Sequence, residues 1–383
     1  MDISGHGPAS LSFIGGCAIR PTTGRWIANA LEERNRFGDT RVRVLLVSAV
    51  RDEAPHLPEW IAHHRALGVT DFLIFSNDCG DGTDAMLDAM APLGVTHLPN
   101  RPAEGKSVQW NALKQAWGHP LREQAEWILG IDSDEFVNLR APLGTLQDLV
   151  GAVGEAEAVV LPWRIFGSNG QRRLTDAPTT QTFTRAAPPG CGYPVGGLQF
   201  KTLFRRDGPF ARPGVHRPRN KKGQAARWVD GSGRALPGWF AENDKRITLF
   251  GLPEGTALVQ LNHYSLRSAQ SFMLKRLRGL PNRTRKAIDL MYWVERNFNT
   301  VEDLSIARHA PAVRAALDEV MGLPGMARLH AEGLAWHHAR FEEMMRTEAE
   351  LRLYGRLLLA ADSMPLPGDD IRELVSRFQA LDG

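Results

Sequence analysis

Val42-Arg43-Val44-Leu45-Leu46-Val47-Ser48-Ala49-Val50 is the stretch on which the fold turns. Its β-branched and aliphatic side chains run almost without a polar break, as in a strand buried on both faces of a parallel sheet. Just downstream, Leu57, Trp60, Ile61 and His64 recur at helical spacing within residues 53–67, and Gly68 ends that helix. The alternation then repeats. Strands are predicted over 71–75, 95–98 and 126–131, with helices over 84–90 and 105–117 between them. Such alternation calls for a parallel sheet with right-handed crossovers. Ligands of such sheets bind beyond the carboxyl ends of the strands, so the residues directly after each strand carry the information.

Outside this block the pattern changes. Residues 1–40 are rich in Gly, Pro and Arg and read as an arm laid over the domain, with one short helix at 26–34. From 156 to 263 short strands (158–163, 181–185, 201–205, 257–261) alternate with Gly- and Pro-rich loops. Beyond Ser265 the chain turns helical, with a long amphipathic stretch over 326–361 and a terminal helix over 369–381. There is no internal repeat and no low-complexity tract. The net charge of +3 is small for 383 residues, and the three cysteines, Cys17, Cys79 and Cys191, form no CxxC pair. That spacing argues against a disulfide framework or a structural zinc and fits a reducing compartment. No run approaches a membrane span, and no basic, apolar leader opens the chain. A cytoplasmic protein is expected, with peripheral contact at the inner face of a membrane left open.

The first strand runs into Arg51-Asp52-Glu53, and the second into Asn77-Asp78-Cys79-Gly80-Asp81-Gly82-Thr83. Either loop alone reads as an ordinary turn with helix N-caps at Asp81 and Thr83. The fourth strand changes the reading. Apolar Ile128-Leu129-Gly130-Ile131 discharges into Asp132-Ser133-Asp134-Glu135, three carboxylates in four residues. Such a cluster is self-repelling unless a cation is shared. In extended chain Asp132 and Asp134 point the same way, which suits one hard metal ion.

These motifs, in order, resemble GT-A glycosyltransferases related to family 2, and most closely a bacterial group that also resembles family 92. The residues that carry it are Val47 to Glu53, Asn77 to Thr83, Gly105-Lys106-Ser107 with Asn111-Ala112, and Ile131 to Phe136. It covers 42–140 strongly and continues in fragments at Lys201-Thr202-Leu203-Phe204-Arg205, Gly214 to Pro218 and Asn262-His263-Tyr264. The resemblance implies an α/β GT-A fold: a mixed, mainly parallel sheet with flanking helices and a helical C-terminal extension. The arm would be 1–40, the catalytic domain 41–265 (nucleotide-sugar half 41–140, acceptor half 141–265) and the helical region 266–383. Val50, Arg51 and Glu53, with Asn77 and Asp78, would hold base and ribose. Lys106 and Asn111 would lie under the nucleotide or sugar, Asp132 would reach ribose or sugar hydroxyls, and Asp134 would bind the metal.

Many GT-A enzymes complete the metal shell with a histidine from the C-terminal part of the domain, and His263 stands in that place. A metal set of Asp132, Asp134 and His263 follows, and an imidazole among carboxylates favours manganese over magnesium. Where family-2 enzymes carry a Glu-Asp pair with the catalytic base, this chain has Glu242-Asn243-Asp244, giving Asp244 as first choice of base and Glu242 as second. Between 201 and 222 eight basic residues face one acidic. Lys201 and His216 are expected to turn toward a diphosphate, and 217–222 is either a solvated loop or a grip for an anionic acceptor. The basic helix at 272–278 reads as ordinary packing, with membrane docking as its other reading.

The expected reaction moves a sugar from a nucleoside-diphosphate sugar, UDP-linked by preference, to a hydroxyl of a glycan or lipid-linked acceptor, with inversion. Two alternatives stand beside it. A sugar nucleotidyltransferase would carry a Gly-rich basic loop after the first strand, where Arg51-Asp52-Glu53 sits instead. A silent nucleotide- or carbohydrate-binding protein would have lost its metal ligands. No nucleic-acid motif accompanies the basic residues.

Overall fold

The computed structural model describes residues 42–278 and 288–381. The arm expected over 1–40, with its helix at 26–34, lies outside the described residues. From Thr40 onward the chain is one compact unit. The first half alternates β1 (Val44–Val50), α1 (Leu57–Ala66), β2 (Asp71–Ser76), α2 (Thr83–Ala89), β3 (Val95–Pro99), α3 (Val108–Trp117) and β4 (Trp127–Gly130). The Ser107 side chain starts α3 by accepting from the Trp110 N–H.

The chain goes on through β5 (Glu135–Leu139), α4 (Leu146–Ala152), β6 (Ala158–Ile165), β7 (Phe200–Arg205) and β8 (Val259–His263). The sheet runs in the order β3-β2-β1-β4-β7-β6-β8-β5. The pairs β1/β2, β1/β4, β2/β3 and β6/β8 are parallel, whereas β7 is antiparallel to β4 and β6, and β5 to β8. This is the mixed, mainly parallel α/β architecture expected from the sequence. Val44 and Leu46 of β1 are fully buried, as are Leu73 and Phe75 of β2. Each such side chain contributes about 1.5–3 kcal/mol by leaving water.

Register positions the functional residues. The antiparallel pair Leu129↔Leu203 carries Lys201, two residues earlier on β7, past the end of β4 to the level of the acidic loop. The pair His263↔Glu135 brings the last residue of β8 beside that same loop.

The C-terminal region carries α5 (Ala269–Arg278), α6 (Ala310–Met321), α7 (Met326–Met344), α8 (Glu348–Leu359) and a terminal helix, Gly368–Leu381. Helix α6 packs on α1, and α7 packs on α2 and α5. Gly333 of α7 comes so close to the loop after β1 that a Cβ there would lie 2.6 Å from the Ala54 methyl. No helix among the described residues is long and apolar enough to cross a membrane.

Three elements depart from the sequence reading. Glu135–Leu139 is a strand, although nothing in its pattern announces one. Thr179–Thr182 is a helical turn rather than part of a strand. The cause is distant: the buried Glu59 carboxylate accepts from the Thr180 N–H at 3.0 Å and also takes the Thr179 N–H, satisfying a helix N-terminus. The long amphipathic stretch breaks after Met344, which lets Phe341 and Leu357 bury against Phe272 and Trp293 in one apolar cluster.

Candidate functional site

The strand ends meet at Asp132. One carboxylate oxygen accepts from the Gln109 amide of α3 at 2.8 Å, and the other takes the Lys201 ammonium at 2.9 Å. Lys201 is almost wholly buried, 3.5 Å from Glu135 as well. Burial alone would lower its pKa, but Asp132 and Glu135 raise it, so it stays charged. Burial pushes the Glu135 carboxyl up to about 8, an effect that Lys201 opposes and Asp132 adds to. Glu135 also accepts from the Asp132 N–H at 2.8 Å, which fixes the turn.

Asp134 faces the other way. Its Oδ2 accepts from the Lys275 ammonium of α5 at 2.6 Å, and its Oδ1 lies 3.6 Å from His263 Nε2. Against the raising effect of burial, Lys275 and His263 hold this carboxyl well below the usual range. His263 is buried, which lowers its pKa. Its Nδ1 has no partner among the described residues.

Behind Asp134 lies a second set of charges. Glu53 follows β1, and its carboxylate pairs with Arg267 at 2.7 Å and with Arg278. Burial would raise Glu53, yet the two guanidinium groups bring it far below the ordinary range. Arg267 also donates to the Ser133 carbonyl at 2.8 Å, tying this set to the acidic loop. Arg267, Lys275 and Arg278 line a cavity of about 480 Å³, together with Asp52, Asp78 and Trp336. Helix α7 closes that cavity: Trp336 lies over Gly80, and His337 pairs with Asp81 at 2.9 Å.

The expected residues are spread unevenly over this geometry. Arg51, Asp52 and Asp78 line the cavity, while Val50 is buried within β1. Asn77 donates to Asp78 at 3.0 Å. Lys106 is exposed ahead of α3, and Asn111 donates to Asn100 at 2.6 Å rather than reaching Asp132. Gln109 takes that place. His216 packs edge-on to Trp163 beneath Lys201, and burial and that lysine bring its pKa down to about 4.

Asp244 accepts from the Asn220 N–H at 3.1 Å, and Glu242 is exposed at the end of a short helix. Neither lines the cavity. Arg217, expected in a loop, is buried, stacks on Trp228 at 4.2 Å and donates to the Phe240 and Ala241 carbonyls. The basic helix at 272–278 sends Lys275 and Arg278 inward and Arg276 to Glu350, so its charges are met by protein. Lys275, Arg267 and Arg278 are the site residues that the sequence reading missed. The density of basic residues in α5 was the available signal.

The three residues expected to hold a metal do not converge: Asp134 and His263 lie together, 3.6 Å apart, while Asp132 points elsewhere. Asp132 is turned to Gln109 and Lys201, and one oxygen of Asp134 is held by an ammonium. Among the described residues no three His, Cys, Asp or Glu groups converge on one point. The acidic loop shares cations, as the sequence demanded, but here they are the ammonium groups of Lys201 and Lys275.

No protein-family model matches the chain. Among curated proteins it is similar to a glycosyltransferase family 92 protein of Oryza sativa subsp. japonica, 28% identical over 151 residues, which are 37% of this chain and 24% of that protein. A glycosyltransferase family 92 protein of Ricinus communis is 26% identical over 163 residues, 40% of this chain and 27% of that protein. The chain thus spans about a quarter of the length of these relatives. Among solved structures, S. aureus TarS overlaps 50% of this chain and 37% of its own at 15% identity and a TM-score of 0.28. TarS 1-349 in complex with UDP overlaps 79% and 91% at 12% identity, also with a TM-score of 0.28. The fold described above rests on strand order and register, not on these overlaps. The family resemblance carried by the strand-end motifs is borne out by the curated relatives: over about two fifths of its length the chain is similar to glycosyltransferase family 92 proteins.

Proposed function

We propose that the protein transfers a sugar from a nucleoside-diphosphate sugar to a hydroxyl of a glycan or lipid-linked acceptor. The observation that carries this reading is the cavity at the strand ends, where Asp52 and Asp78 face Arg267, Lys275 and Arg278. Acidic acceptors suit ribose and base, and cations suit a diphosphate. Asp78, with Asn77 behind it, would hold base and ribose. Asp132, fixed by Gln109 and Lys201, would meet hydroxyls of ribose or sugar. In a single displacement with inversion, the acceptor oxygen attacks the anomeric carbon as the diphosphate leaves with the bonding electrons. This course needs no nucleophile from the protein. A cytoplasmic setting belongs to the same proposal.

The test is donor hydrolysis and nucleotide binding across UDP-, GDP- and CMP-sugars, comparing wild type with Asp132→Asn. We expect one nucleotide to be released, UDP being the first to try, with kcat/KM falling about 100-fold or more in the variant. A protein that neither binds nor turns over any of them is no glycosyltransferase.

A further inference from the structure

The ammonium of Lys275 holds one oxygen of the carboxylate that the sequence reserved for a divalent ion. It lies 2.6 Å from Asp134 Oδ2 and 2.8 Å from the Ser265 carbonyl, held there from both sides. Arg267 and Arg278 reach the same cavity, anchored on Glu53. Glu53 and Asp134 therefore anchor three cations, on side chains none of which is more than 18% exposed, at the wall of the cavity that Asp52 and Asp78 also line. Guanidinium and ammonium groups held in place by carboxylates at one cavity wall offer preset, charge-assisted donors to an anion. Arg267 Nε, also buried, has no partner among the described residues.

We propose that Lys275, Arg267 and Arg278 take the part of the divalent metal, holding the donor diphosphate and neutralising the charge that builds on it. Asp134 is then a positioning residue that aims Lys275, not a metal ligand. The inference rests on the donor reading above and specifies how that site treats phosphate. In the transfer step the acceptor oxygen forms its bond to the anomeric carbon. The bond from that carbon to the β-phosphate oxygen breaks, and its electron pair stays on the phosphate. The acceptor proton passes to solvent. The diphosphate gains one negative charge, which the three fixed cations meet without rearrangement.

The experiment is calorimetric titration of UDP, GDP and CDP into the full chain, once in EDTA and once in manganese, with wild type, Lys275→Met and Asp134→Asn. For the nucleotide that binds, we expect wild-type affinities with and without metal to agree within about threefold. Lys275→Met should weaken binding in EDTA by about tenfold or more, the loss of one charge-assisted contact. In Asp134→Asn the ratio of the two affinities should stay near one, which a metal ligand would not allow. Wild-type binding that appears only with manganese overturns this inference and leaves the donor reading standing. Binding of none of the three under either condition overturns both. If Lys275→Met does not fold, the wild-type comparison decides alone.

Discussion

At the scale of single residues, the acidic loop depends on buried lysines, Lys201 most of all. Lys201 compensates Asp132 and Glu135 together. Lys201→Met leaves the fully buried Glu135 and the part-exposed Asp132 without their shared cation, and we expect a loss of about 3 kcal/mol in urea unfolding. Asp244 makes the contrasting case. Its carboxylate accepts one backbone N–H, that of Asn220. Asp244→Ala should cost about 1 kcal/mol. Its kcat should stay within about threefold of wild type, where loss of a general base would cost about 100-fold or more. Steady-state kinetics beside a melting curve separates the two roles. The sequence showed that the loop needed cations. It did not show which, because Lys275 lies on α5, 141 residues from Asp134. No local spacing links them.

At the scale of elements, legibility followed the source of each element's stability. β1, β2 and β4 are apolar in their own sequence, and α1 carries its own periodicity, so the nucleotide-side half could be read directly. β5 could not. Glu135 and Asn138 within it are fully buried, and their polarity hides a strand that is stable only because β8 and Lys201 satisfy it. The turn at Thr179–Thr182 was equally hidden, since its cap is Glu59, 120 residues away. The packing of α7 gives a prediction at this scale. Gly333→Ala places a methyl 2.6 Å from the Ala54 Cβ and 3.2 Å from the Asp81 carbonyl, in backbone that has nowhere to retreat. A loss of about 1–3 kcal/mol is expected. Because α7 also carries Trp336 and His337, nucleotide affinity should fall with stability, as a thermal shift with and without UDP would show.

For the whole molecule, buried carboxylates stitch the strand-end loops to the C-terminal helical region. Glu53 joins Arg267 and Arg278, Asp81 joins His337, and Asp134 joins Lys275. In all three carboxyls burial works upward, but the partners prevail and bring the pKa below its unfolded value: the arginines for Glu53, Lys275 for Asp134, and hydrogen bonds from His337 and Thr83 for Asp81. A depressed carboxyl contributes stability that is complete above the unfolded pKa and is lost as pH falls through the folded one. The melting temperature should therefore be insensitive to these groups from pH 7 to about 5 and drop steeply below about pH 4. Asp81→Asn should melt lower at neutral pH and show a shallower acid drop, the two curves converging at low pH.

The contact between Gly333 and Ala54 also bears on the order in which the protein is made. A ribosome finishes the sheet's first strands long before it reaches Trp336 and His337, and contacts so distant in sequence form late. A nascent chain halted before residue 333 would hold a formed sheet with its strand-end cavity unroofed. On the proposed function, nucleotide capture should thus switch on abruptly as α7 clears the exit tunnel, so that donor binding reports the emergence of that helix.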